Sequence, residues 1–484
     1  METKSEPFVG FTNNSINYWN ETGSQKSIRP VVENHSFLRL STLGLTYFVL
    51  TLCFFICANA FLPNKEIMFF QLSLVASIMG IGTFLMCRYW RFHVFVPFLF
   101  LFQIVWIVLF RTFNILHYGN GLGYHPADAL FYHGFGSRFA VSAQSLAELS
   151  TFLKSYSYGV DDWGFCIVAS VVYYMFGSDA GFFILALLNA VFVVWGACLI
   201  YRIAKRFSSE MNARAVCLLW AVMPFSLYTS SVGLKENYMV FLVIAAVYCV
   251  YRYQERSSLK FLLIGIGSIL ALLLFRTALT FMLALSFLFV FLLKSRSFTR
   301  HVNLWLLVGG FFSFIMFTAA VDFIGSIRGN VTAESLGNKA DNIEEHAGIV
   351  VTITNLLAIL IGPFPSFISD PVKVNYITLY SFGAMVKMWL SFYYVYGVVR
   401  ILQKREVYFY PMLVFIVFHS LMLVVSFYSL HDRYQWPQIP FVLLISIYGF
   451  QEMANERKRS IRYLSSVYPF LMFVVVLVYN IRVC

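Results

Sequence analysis

The run 164-GFCIVASVVYYMFG-177 decides how this chain threads a membrane. It lies between the acids Asp161 and Asp162 and a longer apolar run, 180–201, which leads into the basic stretch 201-YRIAKRF-207. If 164–177 crossed the bilayer, the basic loop at 201–206 would face outward and every later basic loop would flip with it. Those loops are Arg252/Arg256/Lys260, Lys294/Arg296/Arg300, Arg400/Lys404/Arg405 and Arg457/Lys458/Arg459/Arg462. With Arg88, Arg91, Arg214, the 201–206 group and the N-terminal Lys4, Lys26, Arg29 and Arg39, they hold 23 of the 35 Lys and Arg residues. Short cytoplasmic loops carry the excess of Lys and Arg. All these clusters reach the cytoplasm only if 164–177 is a half-inserted or juxtamembrane helix on the outer side. The segment 351–364, running into 362-GPFP-365, is read the same way.

Composition agrees with a membrane-embedded chain. Of 484 residues, 60% are hydrophobic and 12% charged, about half the charge of a soluble domain. The 53 Phe and 29 Tyr suit lipid-facing and interfacial helices. The net charge of +12 therefore speaks to orientation rather than to nucleic acid. Apolar runs predict helices near 41–62, 67–87, 94–115, 180–201, 212–231, 237–253, 260–275, 278–293, 303–325, 376–400, 407–428, 434–451 and 463–481. The expected fold is an all-α, polytopic transmembrane helical bundle of about 13 crossings with juxtamembrane helices in its outer loops. The N-terminus falls inside and the C-terminus outside. Residues 1–36 read as a flexible cytoplasmic polar tail, so the sequons at Asn13, Asn20 and Asn34 would not be glycosylated. Residues 37–93 add two transmembrane helices, 94–450 form the core, and 451–484 hold a basic cytoplasmic loop and the last crossing. No secretory signal peptide is visible. The eight cysteines include no metal-type CxxC pair and suggest neither a disulfide framework nor a metal site.

This topology sorts the acids. Two long loops, 116–179 and 326–375, face outward, and long ordered loops are uncommon unless functional. They carry Asp128, Asp161, Asp162, Glu334, Asp341, Glu344 and Asp370 among others, and Glu236 sits at an outer helix end. Polar chemistry is thus concentrated away from cytosolic nucleotides, and no phosphate-cradling P-loop occurs.

The stretch 124-YHPADALFYHGFGSRFA-140 is the richest of these. Pro126 suits a first helical position. Asp128 then falls in the first turn, where the helix dipole favours the carboxylate, and Tyr132 lies one turn on. His125 and His133 flank it. Phe131, Phe135 and Phe139 would press the helix onto the membrane surface. Two readings stay open: an interfacial helix whose acid only caps it, or a site.

Further candidates carry the same double reading. Lys235 and Glu236 open an outer helix end; the Glu suits the dipole, whereas the Lys does not and points to phosphate binding. Arg276 interrupts the apolar run 261–293, as a snorkelling turn residue or as a planar phosphate clamp. In 431-HDRYQWPQIP-440, Arg433 and Tyr434 either reach an external cavity or belong to an aromatic belt. Of Asp161 and Asp162, only one would point inward. Lys387 either snorkels or faces a cavity.

In order along residues 94–450, these pieces resemble the polyprenyl-linked sugar transferases, which include the protein O-mannosyltransferases and the lipid A aminoarabinose transferase. The resemblance rests on Asp128 with Tyr132, the juxtamembrane run ending 176-FG-177, the basic 201-YRIAKRF-207, a helix broken at Pro224 before Lys235-Glu236, 270-LALLLFRTAL-279, and 433-RYQWPQIP-440. It implies transfer of a hexose or pentose, with inversion, from a polyprenyl phosphate or diphosphate to a lipid or glycan acceptor at the outer face of a bacterial plasma membrane. Asp128 and Glu236 would be catalytic, and Lys235, Arg276 and Arg433 would hold the donor phosphate. Tyr132, His133, His125, Asp162 and Tyr434 would line the acceptor pocket. A divalent cation, Mg or Mn, is the candidate cofactor, with no ligand set assigned. A flippase or transporter of lipid-linked sugars is the rival from another class, and a polysaccharide polymerase or ligase is a rival enzyme. A flippase would need polar residues along a path through the membrane, and here they gather near the outer face.

Overall fold

The computed structural model describes residues 17–19, 25–27, 91–122, 127–156, 162–292, 357, 359–362, 377–426, 432–455 and 459–483. The expected helices 41–62, 67–87 and 303–325 lie outside the described residues, as does nearly all of loop 326–375. The N-terminal tail, expected to lack structure, contains a short antiparallel hairpin: β1 (Asn17–Trp19) pairs with β2 (Gln25–Ser27). Every other element among the described residues is helical.

In chain order these are α1 (Phe92–Tyr118), α2 (Ala127–Ser142), α3 (Leu149–Tyr156), α4 (Trp163–Ala204), α5 (Glu210–Val222), α6 (Pro224–Val232) and α7 (Glu236–Arg256). There follow α8 (Leu259–Leu272), α9 (Thr277–Leu292), α10 (Ile377–Lys404), α11 (Tyr410–Ser426), α12 (Asp432–Gln435), α13 (Ile439–Asn455) and α14 (Arg459–Val483). Helices α1 and α4 are long and apolar enough to cross a membrane, and α5 with α6 qualifies as one span bent by 46°.

The bend follows from Pro224, which opens α6 and has no N–H to continue α5. The buried Gln103 of α1 donates its side-chain amide to the Ala221 carbonyl beside the break. Helix α6 is buried along its whole length despite its Ser and Thr residues. Thr229, Ser230 and Ser231 meet that cost by donating to carbonyls one turn back, at Phe225, Ser226 and Leu227. Helices α10 and α13 cross at glycines: a Cβ on Gly449 would stand 2.0 Å from the Tyr393 carbonyl oxygen. Such small residues let helix backbones approach closely where lipid supplies no hydrophobic drive.

The ends of α7 show how α4 must run. At one end, Lys235 forms an ion pair with Asp162, the residue just before α4. At the other, Arg206, just past α4, pairs with Glu255 at 2.8 Å. Helix α7 has 21 residues, a length of about 31 Å at 1.5 Å per residue. Helix α4 has 42 and would measure about 63 Å if straight. Both ends can meet α7 only if part of α4 adds no height. Gly177, with φ 76° and ψ 177°, breaks the helix there, a conformation open to glycine. The stretch 163–176 therefore turns aside across the end of the bundle.

The two ends differ chemically. The Arg206 end collects Lys205–Glu210, Arg214–Glu210 and Lys404–Glu452 ion pairs. Tyr408 donates there to the Ile203 carbonyl, and Tyr251 to the Tyr408 carbonyl. The opposite end gathers the sequence-predicted site residues.

Candidate active site

The site forms where the starts of α2, α4 and α7 meet the α8–α9 turn. Two contacts fix the geometry. The Gly164 N–H donates to the Leu274 carbonyl at 2.7 Å, tying the start of α4 to the turn that carries Arg276. A Cβ on Gly164 would lie 2.6 Å from the Phe275 ring, so this approach needs glycine. Phe165 then wedges between Tyr132 and Tyr238, edge-on to both at 4.9 and 5.4 Å, and Tyr238 stacks on Phe275 at 5.9 Å.

At the centre, the Asp162 carboxylate receives two donors on one oxygen. The Lys235 ammonium pairs with Oδ1, and the Tyr132 hydroxyl donates to the same atom at 2.7 Å. The Lys235 nitrogen also sits 5.9 Å from the Tyr132 ring centre. Burial alone would raise the Asp162 pKa. The Lys235 charge, the hydrogen bonds from Lys235 and Tyr132, and the Arg276 charge outweigh it and hold the carboxyl below its usual range. Tyr132 moves the other way: burial first, then the Asp162, Glu236 and Asp128 carboxylates, raise its pKa and keep the phenol protonated. That shared influence places three acids around one hydroxyl. Lys235 and Glu236 are 6% and 2% exposed, whereas Asp128, in the first turn of α2, is half-buried. Arg276, half-buried in the turn before α9, holds its guanidinium 5.4 Å from the Tyr434 ring centre.

The structure thus brings together Asp128, Tyr132, Asp162, Lys235, Glu236, Arg276 and Tyr434 from five separate stretches of chain. Arg433 lies on α12 beside Tyr434, its side chain outside the described residues, as are Tyr124, His125, Pro126 and Asp161. Three expectations change. His133 makes its hydrogen bonds outside the Asp162 group. It is buried with Nδ1 2.6 Å from the Tyr173 hydroxyl and Nε2 3.0 Å from the Val232 carbonyl. The carbonyl can only accept, so Nε2 carries the proton and Nδ1 accepts from Tyr173. Burial, with Arg111 nearby, pushes this histidine down to about 4. The Phe131/Phe135/Phe139 ridge does not press on lipid either. Phe135 and Phe139 are fully buried, each edge-on to Phe152 of α3 at 5.0 and 5.3 Å. Leu130 and Val141 are the apolar residues that α2 leaves exposed. Lys235, expected to be available for phosphate, is bound to Asp162.

One group was only partly legible in the sequence, which marked Lys387 but not its partners. Lys387, buried in α10, donates to the Ile359 carbonyl at 2.9 Å and to the Gln435 side chain. Ser420 donates to Gln438 nearby at 3.0 Å. Polar residues within apolar runs were the available signal, and only Lys387 stood out.

Among the described residues, no three His, Cys, Asp or Glu side chains converge as a set able to hold a metal ion. Asp162 already faces an ammonium and a hydroxyl.

No curated protein matches this chain. Residues 135–321 match the profile of a family described as dolichyl-phosphate-mannose-protein mannosyltransferase. That stretch holds Asp162, Lys235, Glu236 and Arg276, while Asp128, Tyr132 and Tyr434 lie beyond it. Over this part the chain is similar to membrane glycosyltransferases of the protein mannosyltransferase and aminoarabinose transferase class.

Proposed function

We propose that this protein is a membrane glycosyltransferase that moves a sugar from a polyprenyl-phosphate or diphosphate carrier to an acceptor hydroxyl at the outer face. The observation that carries the reading is the meeting of Asp162, Lys235 and Arg276 beside Tyr132, within the stretch similar to the mannosyltransferase family. The full chain is a multi-pass protein of about 13 crossings by hydrophobic length, in a bacterial plasma membrane. Its N-terminus is cytoplasmic, and the runs 164–177 and 351–364 lie along the outer surface.

The acceptor oxygen attacks the anomeric carbon from the face opposite the phosphate, so one displacement inverts the centre. The carbon–oxygen bond to phosphate breaks, and its electron pair leaves on the polyprenyl phosphate. The hydroxyl proton passes to Asp128, a half-buried acid beside Tyr132 for which the Lys235 ion pair is not a competitor, since Lys235 is held by Asp162. Arg276, steadied over Tyr434, stabilises the phosphate charge as it grows, with Arg433 on the adjoining turn. Glu236 supports the acid–base chemistry from the buried end of α7. The lipid tail lies between helices, and loops 116–179 and 326–375 close over the acceptor.

The test is release of polyprenyl phosphate from a labelled polyprenyl-phosphate sugar by the full-length protein in nanodiscs, with a lipid or glycan acceptor. Sugar transfer that depends on the acceptor is expected. Movement of the intact lipid-linked sugar across vesicles without bond cleavage would replace this reading with a flippase.

A further inference from the structure

Lys387 lies deep in α10 and is 2% exposed. Its amine reaches two other parts of the chain at once. It donates to the Ile359 carbonyl, in the described segment 359–362 at the C-terminal side of loop 326–375. It also donates to the Gln435 side-chain oxygen at the end of α12. Gln435 is fully buried, and the residue before it, Tyr434, supports the Arg276 guanidinium. The residue after it, Trp436, stacks on Trp220 of α5 at 4.7 Å, so α12 is held from behind as well. A lysine buried at membrane depth is costly unless its hydrogen bonds are met. Replacing it with an apolar residue would remove the donor it supplies to the Ile359 carbonyl and the Gln435 oxygen.

From this arrangement we propose that Lys387 is a positioning residue that joins segment 359–362 to the turn beneath Arg276. One amine then sets both segment 359–362 and the turn whose Tyr434 supports the Arg276 clamp on the donor phosphate. The inference rests on the glycosyltransferase reading for its kinetic consequence, while the mechanical link between the two segments stands apart from it. Arginine would keep donors at the position but is larger and planar. Methionine keeps the length and removes every donor.

Two measurements on the full-length protein test this. In hydrogen exchange without donor, Lys387→Met should speed exchange in both 357–362 and 432–438 relative to the rest of the chain. In turnover with a polyprenyl-phosphate sugar, the same variant should lose at least ~10-fold in kcat and raise the donor KM, as expected when reacting groups are misplaced by about 1 Å. Lys387→Arg should recover part of both. If Lys387→Met does not fold, Gln435→Leu cuts the same link from the other side and should reproduce the kinetic change, whereas Gln435→Glu should not. Normal kcat and KM in whichever of these apolar variants folds would overturn the proposal, as would unchanged exchange in either segment. A wild-type protein that transfers no sugar, but whose two segments loosen together in Lys387→Met, would remove the glycosyltransferase reading and leave the link standing.

Discussion

Asp162 and Lys235, 73 positions apart, form an ion pair at the start of α7. On the proposed reading, a phosphate bound beside Arg276 would compete with Asp162 for that ammonium. Lys235→Met should therefore act chiefly on Asp162. Without its largest favourable partner the carboxyl is governed by burial, and its pKa rises. The sign for stability follows. In the wild-type protein the folded pKa lies below the unfolded one, so the stabilisation is complete above the unfolded value, about 3.9. It is lost only as pH falls through the lower folded value. Wild-type thermal stability should be insensitive to this group between pH 5 and 8, whereas in Lys235→Met the raised folded pKa should make stability fall as pH rises through that window. A flat melting profile for Lys235→Met over the same range would show that the pair does not control Asp162.

Asp128 and Arg276 should separate by substitution. Asp128→Asn keeps the shape of a half-buried first-turn residue but cannot accept a proton. Transfer should fall at least ~100-fold if Asp128 is the base, with donor binding and folding retained. Arg276→Ala should weaken donor binding as well as turnover, because the phosphate charge exists before reaction and grows during it. Isothermal titration with a polyprenyl phosphate, alongside single-turnover rates, distinguishes these patterns. Near-normal turnover by Asp128→Asn would transfer the base role to Asp162 or Glu236.

How far the sequence went depends on the kind of information each feature needs. Apolar length marked the described helices between 94 and 292 and from 377 onward, because hydropathy is local. The break at Gly177 was legible as the end of an apolar run, and the Pro224 break as a missing N–H. The period-four Phe ridge showed that α2 has an apolar face, but not that Phe152, and not lipid, covers it. His133 looked like a pocket residue because its neighbours in sequence are polar; its partners, Tyr173 and the Val232 carbonyl, come from elsewhere in the chain. The Asp162–Lys235 pairing was likewise invisible, since nothing in either local sequence names the other residue.

Topology can be read with single cysteines. The length argument from α4 and α7 places Asp162 and Arg206 at opposite ends of a helix about 31 Å long. Cysteines at 128 and 344 should react with a membrane-impermeant thiol reagent from outside intact cells, and cysteines at 205 and 458 only after permeabilisation. Outside labelling of Lys205→Cys would invert the whole arrangement, including the surface position of 164–177.

His133 predicts a separate acid sensitivity. Its folded pKa, about 4, lies below the ordinary 6.5 because burial disfavours the imidazolium and Arg111 adds to that. Above pH 6.5 the ring is neutral in both states and costs nothing. As pH falls from 6.5 toward 4 the unfolded chain takes up a proton that the folded protein refuses, so stability drops over that interval and levels off below it. This window is distinct from that of Asp162, which in the wild-type protein lies lower. His133→Gln should remove the drop between pH 6.5 and 4 while lowering stability at pH 8. Its amide can donate to the Val232 carbonyl or accept from Tyr173, but it does not reproduce both contacts in the ring's geometry. Melting curves of wild type and variant at pH 8, 6.5, 5.5 and 4.5 check both parts. A drop of equal size in the two proteins would assign the acid sensitivity to other groups.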